Sequence, residues 1–179
     1  YYQKIPVGHV EAGLRTGDIY SPWPEEGNRK ITSTLAQYHF APTIESKSNL
    51  LTEGLAEKDI VITGNTVIDA LFWVKKKLVE DRSITQSLDA EFDYLDKNKK
   101  LILVTGHRRE SFGGGFERIC QALRQIACNH PKAQILYPVH LNPHVQEPVN
   151  RLLKDLKNVY LIKPQPYIPF CYLMDRAYL

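Results

Sequence analysis

The sequence has little cysteine, little excess charge and no long apolar run, and each shortage excludes a class of protein. Its three cysteines, Cys120, Cys128 and Cys171, are an odd number without CxxC spacing. They favour unpaired thiols in a reducing cytoplasm over a disulfide framework or a zinc site. A net charge of +3 is too small to indicate nucleic-acid binding by itself. No stretch approaches the roughly 18 to 20 apolar residues of a membrane-spanning helix, so no membrane partner is expected.

Two signatures of cofactors and metals are missing as well. The sequence contains no GxGxxG fingerprint that would indicate a dinucleotide. His140 and His144 are separated by Pro143, so they do not form a pair of ligands on one helix face. We therefore expect neither a metal nor a redox cofactor. A hydrophobic content of 43% and a charged content of 24% are those of an ordinary globular protein.

Short apolar runs alternate with helical periods along the chain, and this alternation predicts an α/β fold with parallel sheets. A charged, weakly periodic stretch interrupts the alternation. We therefore predict a first domain at 1–80, a linker region with a short helix at 81–100, and a second domain at 101–179. The predicted strands are 5–10, 39–41, 60–62, 101–105, 134–139 and 159–162, and the predicted helices are 25–38, 43–53, 67–79, 116–129, 143–156 and 168–176.

The first candidate for chemistry is Glu11, which ends the first predicted strand. Residues 9–17 read HVEAGLRTG. In open α/β sheets, ligands bind beyond the carboxyl ends of the strands, so Glu11 is expected to point toward a binding crevice. The structural alternative is an ion pair with Arg15 or Arg29 that only fixes the loop.

The second candidate is Glu25, at the start of a predicted helix. Residues 21–29 read SPWPEEGNR, so two prolines frame the approach to this glutamate. An acidic residue in the first turn also serves the helix dipole, and Glu26 shares that position. The sequence therefore leaves a catalytic and a purely structural interpretation of Glu25 open.

A histidine and two arginines follow the first strand of the second predicted domain. Residues 104–113 read VTGHRRESFG, and His107 stands where a parallel strand ends, beside Arg108 and Arg109. Cations at this position would face a bound diphosphate. The structural alternative for the arginines is pairing with Glu110 or Glu117. The glycines that follow, at 113–115, could bind phosphate at a helix N-terminus or form only a turn.

Taken together, these segments resemble the non-hydrolysing UDP-N-acetylglucosamine 2-epimerases. TGNTVIDA at 63–70 and YPVHLNP at 137–143 extend the resemblance, and the motifs occur in the family's order. The resemblance implies a glycosyltransferase-B type fold, in which two Rossmann-like domains face a cleft. It also implies that both domains are incomplete here, so we interpret the chain as a fragment without either end and expect it to be inactive alone.

The resemblance implies a reaction at C2 of a nucleotide sugar. UDP leaves C1 as the C2 proton is removed, and UDP then adds back with a proton delivered to the opposite face. Such chemistry needs an acid, a base and cations at the diphosphate. The residues expected to carry catalysis are Glu11, Glu25 and His107, and those expected to bind substrate are Arg15, Arg108, Gln165 and Phe170. The sequence does not say which glutamate is the acid.

The resemblance further implies UDP-N-acetylglucosamine as the partner, a homodimer at full length, and a cytoplasmic enzyme that feeds cell-surface polysaccharide synthesis. Three alternatives stay open at this point. The protein could be a retaining nucleotide-sugar glycosyltransferase of the same fold, a hydrolysing relative, or a catalytically silent sensor of sugar nucleotides. Retention of both candidate glutamates counts against the sensor, since binding alone needs no acid and base.

Overall fold

The computed structural model describes residues 1–106 and 114–179, and the chain contacts divide it into two compact units, Tyr1–Phe72 and Trp73–Leu179. The described elements, in chain order, are β1 (Gly8–Val10), α1 (Glu25–Leu35), β2 (Tyr38–Ala41), α2 (Ile44–Thr52), a 3-10 turn (Glu57–Asp59), β3 (Ile60–Ile62), α3 (Thr66–Glu80), α4 (Arg82–Glu91), β4 (Lys100–Leu103), α5 (Gly114–Asn129), β5 (Ala133–Pro138), α6 (Pro143–Leu153), β6 (Val159–Ile162) and α7 (Tyr167–Arg176). None of these helices combines the length and the apolar character needed to cross a membrane.

The first unit is built on a parallel sheet in the order β1-β2-β3. In this sheet His9 lies beside His39, and His39 beside Ile60. The small core beneath it consists of Ala12, Ala41, Leu50 and Ile60. Thr43 caps α2, because its hydroxyl accepts a hydrogen bond from Ser46 N at 3.0 Å.

The second unit contains another parallel sheet, in the order β4-β5-β6. Helices α5 and α6 cover one apolar face of it. The buried side chains of that layer come from both helices and from the strands, among them Phe116, Leu123, Ile135, Val149 and Leu153. Parallel strands joined by helices confirm the α/β fold that the sequence predicts.

Residues 81–100, the predicted linker region, contain the expected short helix, α4, and pack within the second unit. The ring of Phe92 stacks on Tyr172 with 6.0 Å between centroids, and Tyr172 donates a hydrogen bond to Asp89 at 2.6 Å. Gln134 of β5 joins the segment to the sheet through two hydrogen bonds with the backbone of Asp96. Its side-chain oxygen accepts from Asp96 N, and its side-chain nitrogen donates to Asp96 O. The boundary between the two compact units falls inside α3.

Several predicted element boundaries are wrong by a few residues, with local causes. Helix α1 ends at Leu35 rather than at 38 because the amides of Gln37 and Tyr38 both donate to Val7 O, which starts β2. Helix α5 begins two residues before the predicted start at 116, because Gly114 and Gly115 form its first turn. The bounds of β3 and β6 are as predicted.

Candidate functional site

Glu11 turns the backbone sharply at the carboxyl end of β1. Its φ of 61° lies in the left-handed region, which costs a non-glycine residue about 1 kcal/mol. The next amide, Ala12 N, donates to Phe40 O at 3.0 Å and so ties the turn to β2. The half-buried Glu11 side chain therefore stands at the strand end that the sequence predicts.

The loop after Glu11 lies against helix α2. A Cβ at Gly13 would come within 2.1 Å of Ser46 O, so only glycine fits this contact, and its φ of 86° also favours glycine. Asn49 donates its side-chain amide to Gly13 O at 3.0 Å. These contacts give residues 11–13 a fixed course across the end of the sheet.

Arg15 is held by protein groups on several sides. Its guanidinium forms two hydrogen bonds to Glu53, at 2.8 and 2.7 Å, and a third to the Ser33 hydroxyl at 2.9 Å. Only 7% of the side chain is exposed. The pKa of Glu53 is lowered, first by the hydrogen bonds from Arg15. The substrate contact expected of Arg15 stays a prediction, and the geometry gives this side chain a structural role in addition.

We expect Glu53→Ala to lower the free energy of unfolding by about 2 kcal/mol, because the nearly buried Arg15 guanidinium loses two charge-assisted bonds. Urea denaturation of the chain measures the effect. The matched control is Glu57→Ala, which breaks the exposed pair with Lys47 and leaves stability nearly unchanged. Equal effects of the two substitutions would contradict a structural role for the Arg15–Glu53 pair.

The two glutamates at the start of α1 differ completely in their surroundings. Glu25 is exposed, as a residue that must meet a substrate requires. Glu26 is fully buried, and its Oε1 accepts hydrogen bonds from Thr16 N at 3.2 Å and Gly17 N at 3.3 Å. Sequence reasoning missed Glu26, because adjacent acidic residues in a first turn look alike until the helix is packed.

Two histidines face each other on adjacent strands of the first sheet. The ring centroids of His9 and His39 are 6.5 Å apart, and His39 is only 1% exposed. Burial is the first cause that lowers the pKa of both; for His39, nearby Asp59 opposes the shift and Arg15 adds to it. Both rings are therefore neutral in the folded protein at pH 7.

This histidine pair predicts a loss of stability on mild acidification. The folded-state pKa lies below the ordinary value of 6.5, so the unfolded chain binds protons more readily than the folded chain does. The contribution of the two neutral histidines to the free energy of unfolding is fully present above about pH 6.5. It declines as the pH falls below that value toward the folded-state pKa. Urea midpoints at pH 7.5 and 5.5 measure the decline. His39→Phe should reduce it, and an unchanged pH dependence in that variant would contradict the assignment.

In the second unit, Tyr137 holds the backbone just after β4. Its side chain is fully buried, and the hydroxyl donates to Gly106 O at 2.8 Å. Burial raises the pKa of Tyr137 to about 12, so the hydroxyl remains a donor. Gly106 immediately precedes His107 and Arg108, and these two predicted site residues lie outside the residues that the structure describes.

Gln165 and Phe170 lie at the carboxyl end of the same sheet. Both are half-buried, and the Gln165 amide donates to Lys163 O at 2.8 Å. A cavity of about 220 Å³ opens there, lined in part by Val139, Leu161 and Lys163. Nearby, Asn142 caps α6, because its side-chain oxygen accepts a hydrogen bond from His144 N at 3.0 Å.

Side chains that can bind metals do not form a cluster in the described parts of the chain. Across 1–106 and 114–179, no three His, Cys, Asp or Glu side chains are arranged to hold a metal ion. Cys120 and Cys171 are buried and Cys128 is exposed, all as free thiols.

Comparison with known proteins identifies the family. The family model described as UDP-N-acetylglucosamine 2-epimerase matches residues 1–179. The chain belongs to the UDP-N-acetylglucosamine 2-epimerase family. The protein named UDP-N-acetylglucosamine 2-epimerase from Yersinia pestis is 63% identical over 179 residues, which are 100% of this chain and 48% of that protein. The chain thus spans about half the length of the curated relatives it matches.

Solved epimerase structures share the fold. The Neisseria meningitidis UDP-GlcNAc 2-epimerase bound to UDP-GlcNAc is 48% identical and superposes with a TM-score of 0.94 over 99% of this chain and 47% of that one. The Methanocaldococcus jannaschii UDP-GlcNAc 2-epimerase in complex with UDP-GlcNAc and UDP is 30% identical, with a TM-score of 0.76, and the match covers 99% of this chain and 48% of that one. The fold is therefore of the glycosyltransferase-B type found in this epimerase family, as predicted, at half length.

Proposed function

We propose that the full-length protein containing this chain interconverts UDP-N-acetylglucosamine and UDP-N-acetylmannosamine by eliminating and re-adding UDP. The observation that carries the proposal is the family match along all 179 residues. The relative bound to UDP-GlcNAc supports the substrate, because it is 48% identical with a TM-score of 0.94. The matched half alone is expected to be inactive.

The chemistry needs two proton-transfer groups, one on each face of C2. No carbonyl activates the C2 proton, so the proton leaves only as the C1–O bond to UDP breaks. One group removes the proton from C2, and UDP departs with the bonding electrons. UDP then returns to C1 while a second group delivers a proton to the opposite face of C2. We assign these two groups to Glu11 and Glu25, without deciding which is the base.

Two features of Glu11 support its assignment. The residue follows β1 directly, at the edge of a parallel sheet where ligands bind in open α/β folds. Its left-handed backbone, with a φ of 61°, is a strained conformation of the kind that collects at functional sites. Glu25 is supported by its exposure at the start of α1 and by the adjacent, fully buried Glu26.

The second unit supplies the nucleotide contacts in this proposal. His107 and Arg108 stabilise the negative charge that develops on the leaving diphosphate. The amide of Gln165 reads the edge of the uracil ring and Phe170 packs against it, and both are half-buried beside the end of the second sheet. Arg15 contributes to the sugar-nucleotide site as well, in addition to its pairing with Glu53.

The wider biological role is part of the same proposal. The product would feed cell-surface polysaccharide synthesis, and the reaction as proposed needs no added cofactor because no net oxidation occurs. A cytoplasmic location fits three free thiols. A homodimer at full length is proposed by analogy with the family.

Incubating the full-length protein with UDP-N-acetylglucosamine and following the sugar by proton NMR tests the proposal. Formation of the manno epimer supports it. Release of free sugar and UDP would instead indicate a hydrolysing enzyme. Intact substrate that binds tightly would indicate a retaining transferase, which needs an acceptor, or a sensor.

A further inference from the structure

We propose that Glu26 is a positioning residue that fixes the segment after Glu11 to the helix that presents Glu25. The inference rests on the proposed function, because it concerns how the two predicted proton-transfer groups keep their geometry. It assigns Glu26 no contact with substrate. The groups it joins all lie in the first unit, in the described part of the chain.

The connection is a set of polar contacts made by one residue, three of them through its carboxylate. Oε1 of Glu26 accepts hydrogen bonds from the backbone amides of Thr16 and Gly17, at 3.2 and 3.3 Å. The Arg29 guanidinium lies 3.5 Å from Oε2, as an ion pair one helical turn away. The Glu26 amide donates to Pro22 O at 3.1 Å, so the residue also joins the end of the loop to the start of α1.

Burial of this carboxylate distinguishes it from a glutamate that only serves the helix dipole. A first-turn acid interacts favourably with the dipole while fully hydrated, as the exposed Glu25 can. Glu26 is 0% exposed, and its Oε2 is buried with no hydrogen-bond donor among the described residues. Burying a charge is costly unless it is paired, so the hydrogen bonds from the loop amides, together with the ion pair to Arg29, compensate this placement.

The loop is held at two successive points, and Glu26 supplies the second. Arg15 fixes the loop to Glu53 at the end of α2 and to Ser33 of α1. Beyond that point, the hydroxyl of Thr16 bonds the backbone of Asp18 and Ser21 within the loop itself. Glu26 therefore provides the backbone connection from this loop to the first turn of α1, one residue from Glu25.

Proton transfer depends steeply on such placement. A displacement of about 1 Å, even from a change outside the reacting groups, can cost on the order of 100-fold in rate. Loosening the Glu26 contacts would shift Glu25 and the Glu11 loop relative to each other without removing either carboxylate. We therefore expect a loss in kcat of about 10-fold to 100-fold, with little change in the affinity for UDP, which the second unit is proposed to hold.

The test compares Glu26→Gln and Glu26→Asp with Ile60→Val in the full-length protein. The glutamine keeps the shape but loses the charge, and the aspartate keeps the charge but shortens the reach. Ile60→Val is the control, because it trims a buried core residue of the same unit whose aliphatic side chain cannot hydrogen-bond to the loop amides. We expect both Glu26 variants to lower kcat while the KM for UDP-N-acetylglucosamine changes less than about 2-fold, and Ile60→Val to leave both unchanged.

The pH–rate profile separates positioning from direct catalysis. Both limbs of the profile should keep their midpoints in the Glu26 variants, since the titrating groups are still present, and the whole curve should be lower. Loss of one limb would make Glu26 an acid or base and overturn the inference. An unchanged kcat in both variants, at wild-type folded content, would overturn it as well.

Hydrogen exchange at residues 14–20, followed by mass spectrometry, tests independently of activity whether Glu26 holds the loop. Faster exchange in the Glu26 variants, with wild-type exchange in Ile60→Val, supports it, and equal exchange in all three overturns it. If the wild-type protein forms no manno epimer, the proposed function fails and the catalytic part of the inference fails with it. The exchange data then still decide whether Glu26 holds the loop.

Discussion

Glu11→Gln in the full-length protein is expected to lower kcat for epimerisation by at least ~100-fold, the usual scale for losing a general acid or base. The substitution keeps the size of the side chain and removes its ability to take or give a proton. The strained turn at φ 61° is unaffected, so the fold and the affinity for UDP should be retained. Steady-state rates and a UDP titration measure both parts of the expectation.

A second substitution at the same position separates the loss of the carboxylate from any loss of stability. Glycine adopts the left-handed region freely, so Glu11→Gly should leave the free energy of unfolding unchanged or slightly higher while turnover is lost. Glu57→Gln, at an exposed carboxylate paired with Lys47, is the control and should be active. Normal turnover in Glu11→Gln would remove Glu11 from the mechanism.

Glu25→Gln is expected to have an effect of the same size, at least ~100-fold in kcat, if it carries the second proton transfer. The matched control is Glu45→Gln, because Glu45 is also an exposed acidic residue in a first turn, that of α2. The two substitutions remove the same favourable interaction with a helix dipole, so their effects on stability should be small and similar.

The activities of these two variants then decide between the interpretations of Glu25. A large loss in Glu25→Gln beside normal activity in Glu45→Gln supports a role in proton transfer. Full activity in both would leave Glu25 with the helix-dipole role that the sequence also allows. Because Glu26→Gln is expected to show a smaller loss with both limbs of the pH profile intact, the neighbouring glutamates are distinguishable.

The fold was predictable where the determining signals are local. Short apolar runs predict the bounds of β3 and β6. The caps at Thr43 and Asn142 depend on hydrogen bonds to residues no more than three positions away in the chain. The end of α1 was not predictable in this way, since it depends on two amides that bond Val7. Local patterns carry no information about such pairings between distant strands.

The candidate site likewise has features that local sequence predicts and features that depend on distant residues. Glu11 and Glu25 stand in recognisable loop and helix-start contexts, so their candidacy could be read from neighbouring residues. The partner of Arg15 could not, because Glu53 lies 38 positions away, just after α2. Nor could the burial of Glu26, because the choice between two adjacent acids is made by how α1 packs against the loop at Thr16 and Gly17.

The central claim, that the C2 proton is exchanged while UDP is eliminated and re-added, is tested most directly in D2O. The full-length protein is incubated with UDP-N-acetylglucosamine without added NAD, and C2 is followed by proton NMR. The account predicts that the C2 proton signal disappears from the sugar nucleotide and that the manno epimer formed carries solvent deuterium at C2. Formation of the epimer with the original proton retained at C2, or an unchanged C2 signal with no epimer, would contradict it.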